Sequence, residues 1–128
     1  MLSFVWADQK DRLARLRAAV KVARQLPVSI DAEDFSTWLP RVAHAKHGYV
    51  TAVLHTVVEE HLAASARTAL RDIVHALAEK AAHDAPLAHV CMELKDGSYA
   101  TEIATWGGMR LKTTICTSDG HAQKIVWK

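Results

Sequence analysis

Residues 88–127, AHVCMELKDGSYATEIATWGGMRLKTTICTSDGHAQKIVW, decide how this chain is read. Three turn signals interrupt the stretch: Asp96-Gly97, Trp106-Gly107-Gly108 and Ser118-Asp119-Gly120. Each contains glycine, which supplies the positive φ that tight hairpin turns need. Between them lie four segments, at about 88–94, 99–105, 109–116 and 122–127, in which apolar and polar residues alternate. The pattern predicts an antiparallel four-stranded meander. With a two-residue first turn and three-residue later turns, Val90, Met92, Leu94, Tyr99, Ile103, Met109, Leu111, Ile115, Ile125 and Trp127 fall on one face. His89, Cys91, Glu93, Glu102, Arg110, Lys112, Thr114, Cys116 and Lys124 take the other. The apolar face is expected to lie under helices, leaving the polar one open.

Working back from this stretch, composition changes at Pro86. Four of the five glycines lie beyond it, whereas the first 85 residues hold only Gly48 and are rich in alanine. A first helix is expected from about Ala7 to Gln25, where Leu13, Leu16, Val20 and Ala23 recur at helical spacing. Asp8 and Asp11 suit its N-terminal dipole, and Pro27 cannot continue it. A short helix follows from Asp31 as N-cap to Leu39, with Phe35, Trp38 and Leu39 on its apolar side and Pro40 closing it or beginning the next. From Tyr49 to about His83 the stripe of Val50, Val53, Leu54, Val57, Leu62, Ala66, Leu70, Ile73 and Leu77 reads as helix, continuous or capped anew at Ser65. The expected architecture is α+β, with three or four N-terminal helices packed on one face of a C-terminal four-stranded antiparallel β-meander. A single domain over 1–128 is expected, helical to about 85 and sheet from about 88 to 127.

The chain has 128 residues, 50% of them hydrophobic and 23% charged, which excludes a disordered segment. Sixteen Lys and Arg against 14 Asp and Glu give a net charge of +2, modest for a nucleic-acid binder. Cys91 and Cys116 are too few for a disulfide scaffold and point to a reducing compartment. Charged residues interrupt every apolar run, so no membrane span is expected. The start, MLSFVWADQKDRLARLR, runs from apolar to charged, the reverse of a secretory signal. A cytoplasmic, unprocessed chain is the resulting expectation.

A Walker loop, a dinucleotide glycine fingerprint, a Gly-x-Ser-x-Gly elbow and a paired Cys-x-x-Cys are all absent from the sequence. His44, His47, His55 and Glu59 have spacings that suit a metal on a helix, but Gly48 interrupts that helix and no His-Glu-x-x-His is present. Neither a metal nor a cofactor is expected. Arg71-Asp-Ile-Val-His75 is similar to the Arg-to-His motif of the all-helical HEPN ribonucleases, with a shorter interval; an ion pair of Arg71 with Asp72 or Glu79 accounts for it better.

Glu102, Arg110, Lys112 and His121 converge if the polar sheet face is open. As base, phosphate clamp and acid they have the chemistry of RNA transesterification. Helices followed by a meander, with Thr117-Ser-Asp-Gly-His121 leading into the last strand, resemble the barnase-like ribonucleases over the final 40 or so residues. That resemblance implies Glu102 as the base, Arg110 with Lys112 as the clamp and His121 as the acid. The first helix carries a basic face, Arg12, Arg15, Arg17, Lys21 and Arg24, which suits phosphates or an acidic protein unless Asp31, Glu33 and Asp34 neutralise it. Trp6 and Trp106 lie where rings can protrude; Trp106 with Arg110 then makes a recognition tip, and the alternative, of no less weight, is that Trp106 tucks over the sheet edge.

The leading expectation is a small non-catalytic binding protein of the immunity-protein, phage-inhibitor or accessory-factor type. Its partner-binding residues would be Trp106, Arg110, Lys112 and Lys124. A metal-independent ribonuclease and a nucleic-acid binder using helix one are the alternatives. A protein partner is expected first and nucleic acid second, with no membrane, and a homodimer is possible through the uncapped last strand.

Overall fold

The computed structural model describes residues 5–26, 29–120 and 123–128. By their internal contacts Met1–Ala32 and Glu33–Lys128 are two compact units, where the sequence reads as one domain. The first unit holds helix α1, Lys10–Gln25. Leu13, Leu16 and Val20 are its half-buried residues and none is fully buried, so the expected apolar stripe exists but supplies no core. Arg12, Arg15, Arg17, Lys21 and Arg24 are all exposed.

The second unit contains α2 (Phe35–Val42), β1 (Thr51–Thr56), α3 (Ala64–Ala78), β2 (Leu87–Lys95), β3 (Ser98–Trp106), β4 (Leu111–Ser118) and β5 (Ile125–Trp127). Among the described residues this is an α+β fold with three helices and a five-stranded mixed sheet, ordered β1-β2-β3-β4-β5. The meander is present as β2 to β5, every pair antiparallel. Its first turn is the expected two-residue hairpin, with Asp96 at φ 49° and Gly97 at φ 80°. Gly107 has φ +92°, and a Cβ there would fall 2.4 Å from the Ala82 carbonyl oxygen, so only glycine lets this turn lie against the chain after α3.

Three expectations are corrected. First, the apolar run after Tyr49 begins as a strand. β1 pairs parallel with β2, and α3 is the crossover helix that such a pairing requires. Six of the nine residues 50–58 are Val or Thr, whose branched Cβ atoms favour a pleated chain even though their spacing mimics a helical stripe.

Second, α2 starts later than expected: Asp34, not Asp31, is its N-cap, accepting from Ser36 N at 2.9 Å and from Ser36 Oγ at 2.6 Å. These hydrogen bonds hold the Asp34 carboxyl below the usual range. Glu33 pairs with Arg41 within the same unit, and Pro40 lies inside the helix.

Third, α2 and α3 lie on the other side of the sheet from the one expected. The core joins Leu39 within α2 and Ala43 just after it, Leu70, Val74 and Leu77 of α3, Val53 of β1 and Leu87 of β2. Strand alternation and register place Val53, His55, Leu87, His89, Cys91, Glu93, Glu102, Trp106 and Lys112 on this covered face. The opposite face carries Leu54, Val90, Met92, Leu94, Tyr99, Ile103, Leu111, Ile125 and Trp127, largely as expected. A register shift between Thr101 and Glu102 leaves Ile115 as an extra residue, which turns Cys116 onto the apolar face instead of the polar one. Met109 lies in the turn before β4.

Both edges, β1 and β5, are short at six and three residues, so each offers little template for pairing with a second chain. Among the described residues no helix is long and apolar enough to cross a membrane.

Candidate functional site

Chemistry-bearing side chains concentrate where the covered face changes from apolar to polar. On β2, strand alternation places His89, Cys91 and Glu93 in line beneath α3. β1 adds His55 at the register position of Cys91. His89, Cys91 and Glu93 border a cavity of about 740 Å³ between the sheet and α3, whose lining includes Glu59, Arg67, Arg71, His75, Glu102 and Lys112.

The centre is tightly bonded. His55 Nδ1 lies 2.8 Å from Glu93 Oε1 and His55 Nε2 lies 2.9 Å from His89 Nε2. A carboxylate oxygen only accepts, so His55 donates through Nδ1 and accepts at Nε2 from His89. Glu93 also accepts from the backbone N–H of Val58 (3.0 Å) and Glu59 (3.1 Å). The His55 and Glu93 side chains are only 9% and 7% exposed, so these bonds are the pair's main alternative to water.

The loop that reaches Glu93 is strained. Val57 sits at φ 54°, a conformation that costs a branched side chain about 1–3 kcal/mol. Its N–H donates to the Met92 carbonyl at 2.8 Å, and the next two amides go to Glu93, so the surrounding bonds hold the turn.

His89 is pushed down to about 4, first by burial and then by His55 and Lys112, against the opposing pull of Glu102. Its imidazole is therefore neutral near pH 7. Burial, with Glu102, Glu59 and Glu93, pushes the Cys91 thiol up, against Lys95. Cys91 and Cys116 are both free, and they lie on opposite faces.

The structure divides the residues singled out in the sequence. Glu102 and Lys112 do meet, but in the cavity under α3 and not on an open face, and Glu102 pairs with Lys95 Nζ at 2.6 Å. Arg110 is exposed in the turn before β4 and is not among the cavity's lining residues. His121 lies outside the described residues. Trp106 is half-buried and packs against the core, so of the two readings it is the tucked ring and not the protruding tip that the structure has; Lys124 is exposed beside β5, and Trp6 is exposed in the first unit.

The His44, His47, His55 and Glu59 grouping disperses because the chain there is loop and strand. His47 pairs with Asp84 at 2.6 Å, while the His44 carbonyl accepts from Thr51 Oγ1. Arg71 approaches Glu59 at 4.0 Å instead of Asp72 or Glu79, and with His75 it lines the cavity.

The grouping of His55 with His89, Cys91 and Glu93 is the feature the sequence reading lacked. The period of two at 89, 91 and 93 signals one sheet face, but His55 joins only once residues 51–56 are a strand.

No curated protein and no solved structure matches the chain. One family model does, over residues 1–127, and by that match the chain belongs to the bacterial family described as "Uncharacterized protein conserved in bacteria (DUF2332)".

Proposed function

We propose that this chain is a non-catalytic binding protein that acts by occupying the surface of a protein partner. The observation that carries this reading is the sheet face opposite α3. Leu54 is 69% exposed, Leu94 51% and Trp127 70%, and Leu111 and Ile125 of the same face are exposed as well. Neither helix of the second unit lies on this face. So many large apolar side chains exposed on one sheet face are costly in water and mark an interaction site. Tryptophan such as Trp127 contributes heavily to interface energy when a partner covers it. Arg110 and Lys124, exposed near the start of β4 and of β5, supply cations at its margin, so an apolar partner surface with an acidic rim fits best. The partner-binding set therefore moves from Trp106 and Lys112 to this face.

The test is site-specific photocrosslinking in the producing bacterium, with a benzophenone side chain placed at Leu54, at Leu111 and, as a control, at Arg17. The expected result is one and the same heterologous protein captured from Leu54 and Leu111 but not from Arg17. Capture of equal material at all three positions, or no adduct at all, sinks the proposal. Adducts of the chain with itself replace the partner by a second copy.

A further inference from the structure

We propose that His55, His89 and Cys91 form a zinc-binding site whose fourth coordination position opens into the cavity beneath α3. One donor atom from each residue lies within 4.8 Å of the other two. This places the candidate ligands on two adjacent parallel strands, with His89 and Cys91 two residues apart on β2 and His55 across from Cys91 on β1. Backbone hydrogen bonds of the sheet thus fix their spacing before any metal arrives, as a preorganised site requires.

The geometry fits zinc in three further respects. Two imidazoles at about 2.0–2.1 Å from a tetrahedral zinc have ring centroids roughly 5.2 Å apart. Here the centroids of His55 and His89 are 5.0 Å apart with the rings inclined by 37°. The rings need only pivot for both Nε2 lone pairs to meet at one point, with no movement of the strands.

Next, His55 already has the partner of a metal-bound histidine. Its Nδ1–H donates to Glu93, which is itself fixed by two backbone amides, leaving Nε2 as the ligand atom. Finally, two imidazoles and a thiolate form a borderline-soft set that suits zinc and leaves magnesium or calcium poorly served. His89 and Cys91 line the cavity, so a water or an exchangeable ligand has access to the remaining position.

Binding is a proton exchange and not a redox step. The proton that His89 Nε2 shares with His55 moves to His89 Nδ1, Cys91 releases its thiol proton to solvent, and zinc takes the three freed lone pairs. One proton leaves per zinc bound. The site lies on the sheet face opposite the apolar surface and stands or falls independently of that surface's role.

The experiment titrates the purified, chelator-treated chain with Zn²⁺ by calorimetry and with Co²⁺ by absorption spectroscopy at neutral pH. Stoichiometric binding is expected, with the intense visible bands of tetrahedral cobalt and a thiolate-to-cobalt charge-transfer band in the near ultraviolet. Cys91→Ser is expected to remove the charge-transfer band, and His89→Ala to abolish one-to-one binding. Glu93→Gln should weaken binding by roughly 10- to 100-fold, the usual effect of losing the hydrogen-bond partner of a ligating histidine. His47→Ala, at an exposed pair outside the site, should change nothing. Circular dichroism establishes that each variant is folded. Failure of the wild-type chain to bind either metal one-to-one overturns the proposal. So does wild-type affinity in both Cys91→Ser and His89→Ala.

Discussion

The two faces of the five-stranded sheet invert the usual division of labour. The face with the more continuous apolar alternation, Leu54, Val90, Met92, Leu94, Ile103 and Leu111, is not the one that α3 covers. The covered face is apolar at only one end, where Val53, Leu87 and Trp106 meet Leu70, Val74 and Leu77. Towards the other end it carries His55, His89, Cys91, Glu93 and Glu102. Hydrophobic alternation fixes which residues share a side, but the chain connection decides which side is covered. A helix joining two adjacent parallel strands crosses over with one strongly preferred hand, so the order of β1 and β2 constrains where α3 lands.

The sharpest way to break this comparison is to remove the same side chain from each face. Leu87 is 3% exposed beneath α3, and Leu87→Ala is expected to cost about 2–5 kcal/mol in urea unfolding. Leu54→Ala, on the open face, should stay within about 0.5 kcal/mol of the parent chain. Equal losses at the two positions would mean that the apolar face is covered in solution and that the contrast is wrong.

The next effect isolates the polar end. Glu93→Gln keeps the shape of a side chain that accepts from His55, Val58 and Glu59, but one oxygen becomes an NH₂ that faces a donor. A buried donor left without its acceptor costs about 1–3 kcal/mol, and that is the expected loss of stability. Amide hydrogen exchange should localise it, with Val58 and Glu59 losing protection before the β2–β3 ladder does. A variant with unchanged exchange at these two amides would show that Glu93 does not hold the strained Val57 turn.

How far the sequence exposes this structure differs along the chain for physical reasons. Two of the meander's three pairings follow from local information, because Asp96-Gly97 and Gly107 specify their turns and alternation specifies the parity. The bulge at Ile115 has no local signal, and it moves Cys116 to the other face. β1 is partner-dependent: Val50, Val53, Leu54 and Val57 satisfy a helical stripe as well as a strand, and only pairing with β2 resolves the choice. The candidate site inherits that ambiguity. His89, Cys91 and Glu93 are legible as one face of one strand, whereas His55 precedes Glu93 by 38 residues and meets it through a parallel pairing. The catalytic set Glu102, Arg110, Lys112 and His121 assumed an open polar face, and the position of α3 removes that premise.

The smallest expected effect reads the covered polar end through pH. His89 titrates near 6.5 in an unfolded chain and near 4 in the folded one, because burial and the adjacent His55 disfavour its charged form. Between these values the unfolded chain binds more protons than the folded chain, so stability rises with pH there. The sign follows directly: metal-free protein loses stability as pH falls from about 6.5 towards 4, and this contribution levels off below that value. Solvent reaches His89 through the cavity, so the change is expected to be well below what the same shift would give in a dry interior. Thermal melts of the chelator-treated chain across this window should show a decline in midpoint that His89→Gln flattens. Carboxylates elsewhere act on both chains alike, so the difference between the two pH profiles, and not either profile alone, reports the histidine. Parallel profiles would place His89 in water and remove the distinction between a covered polar end and an ordinary exposed face.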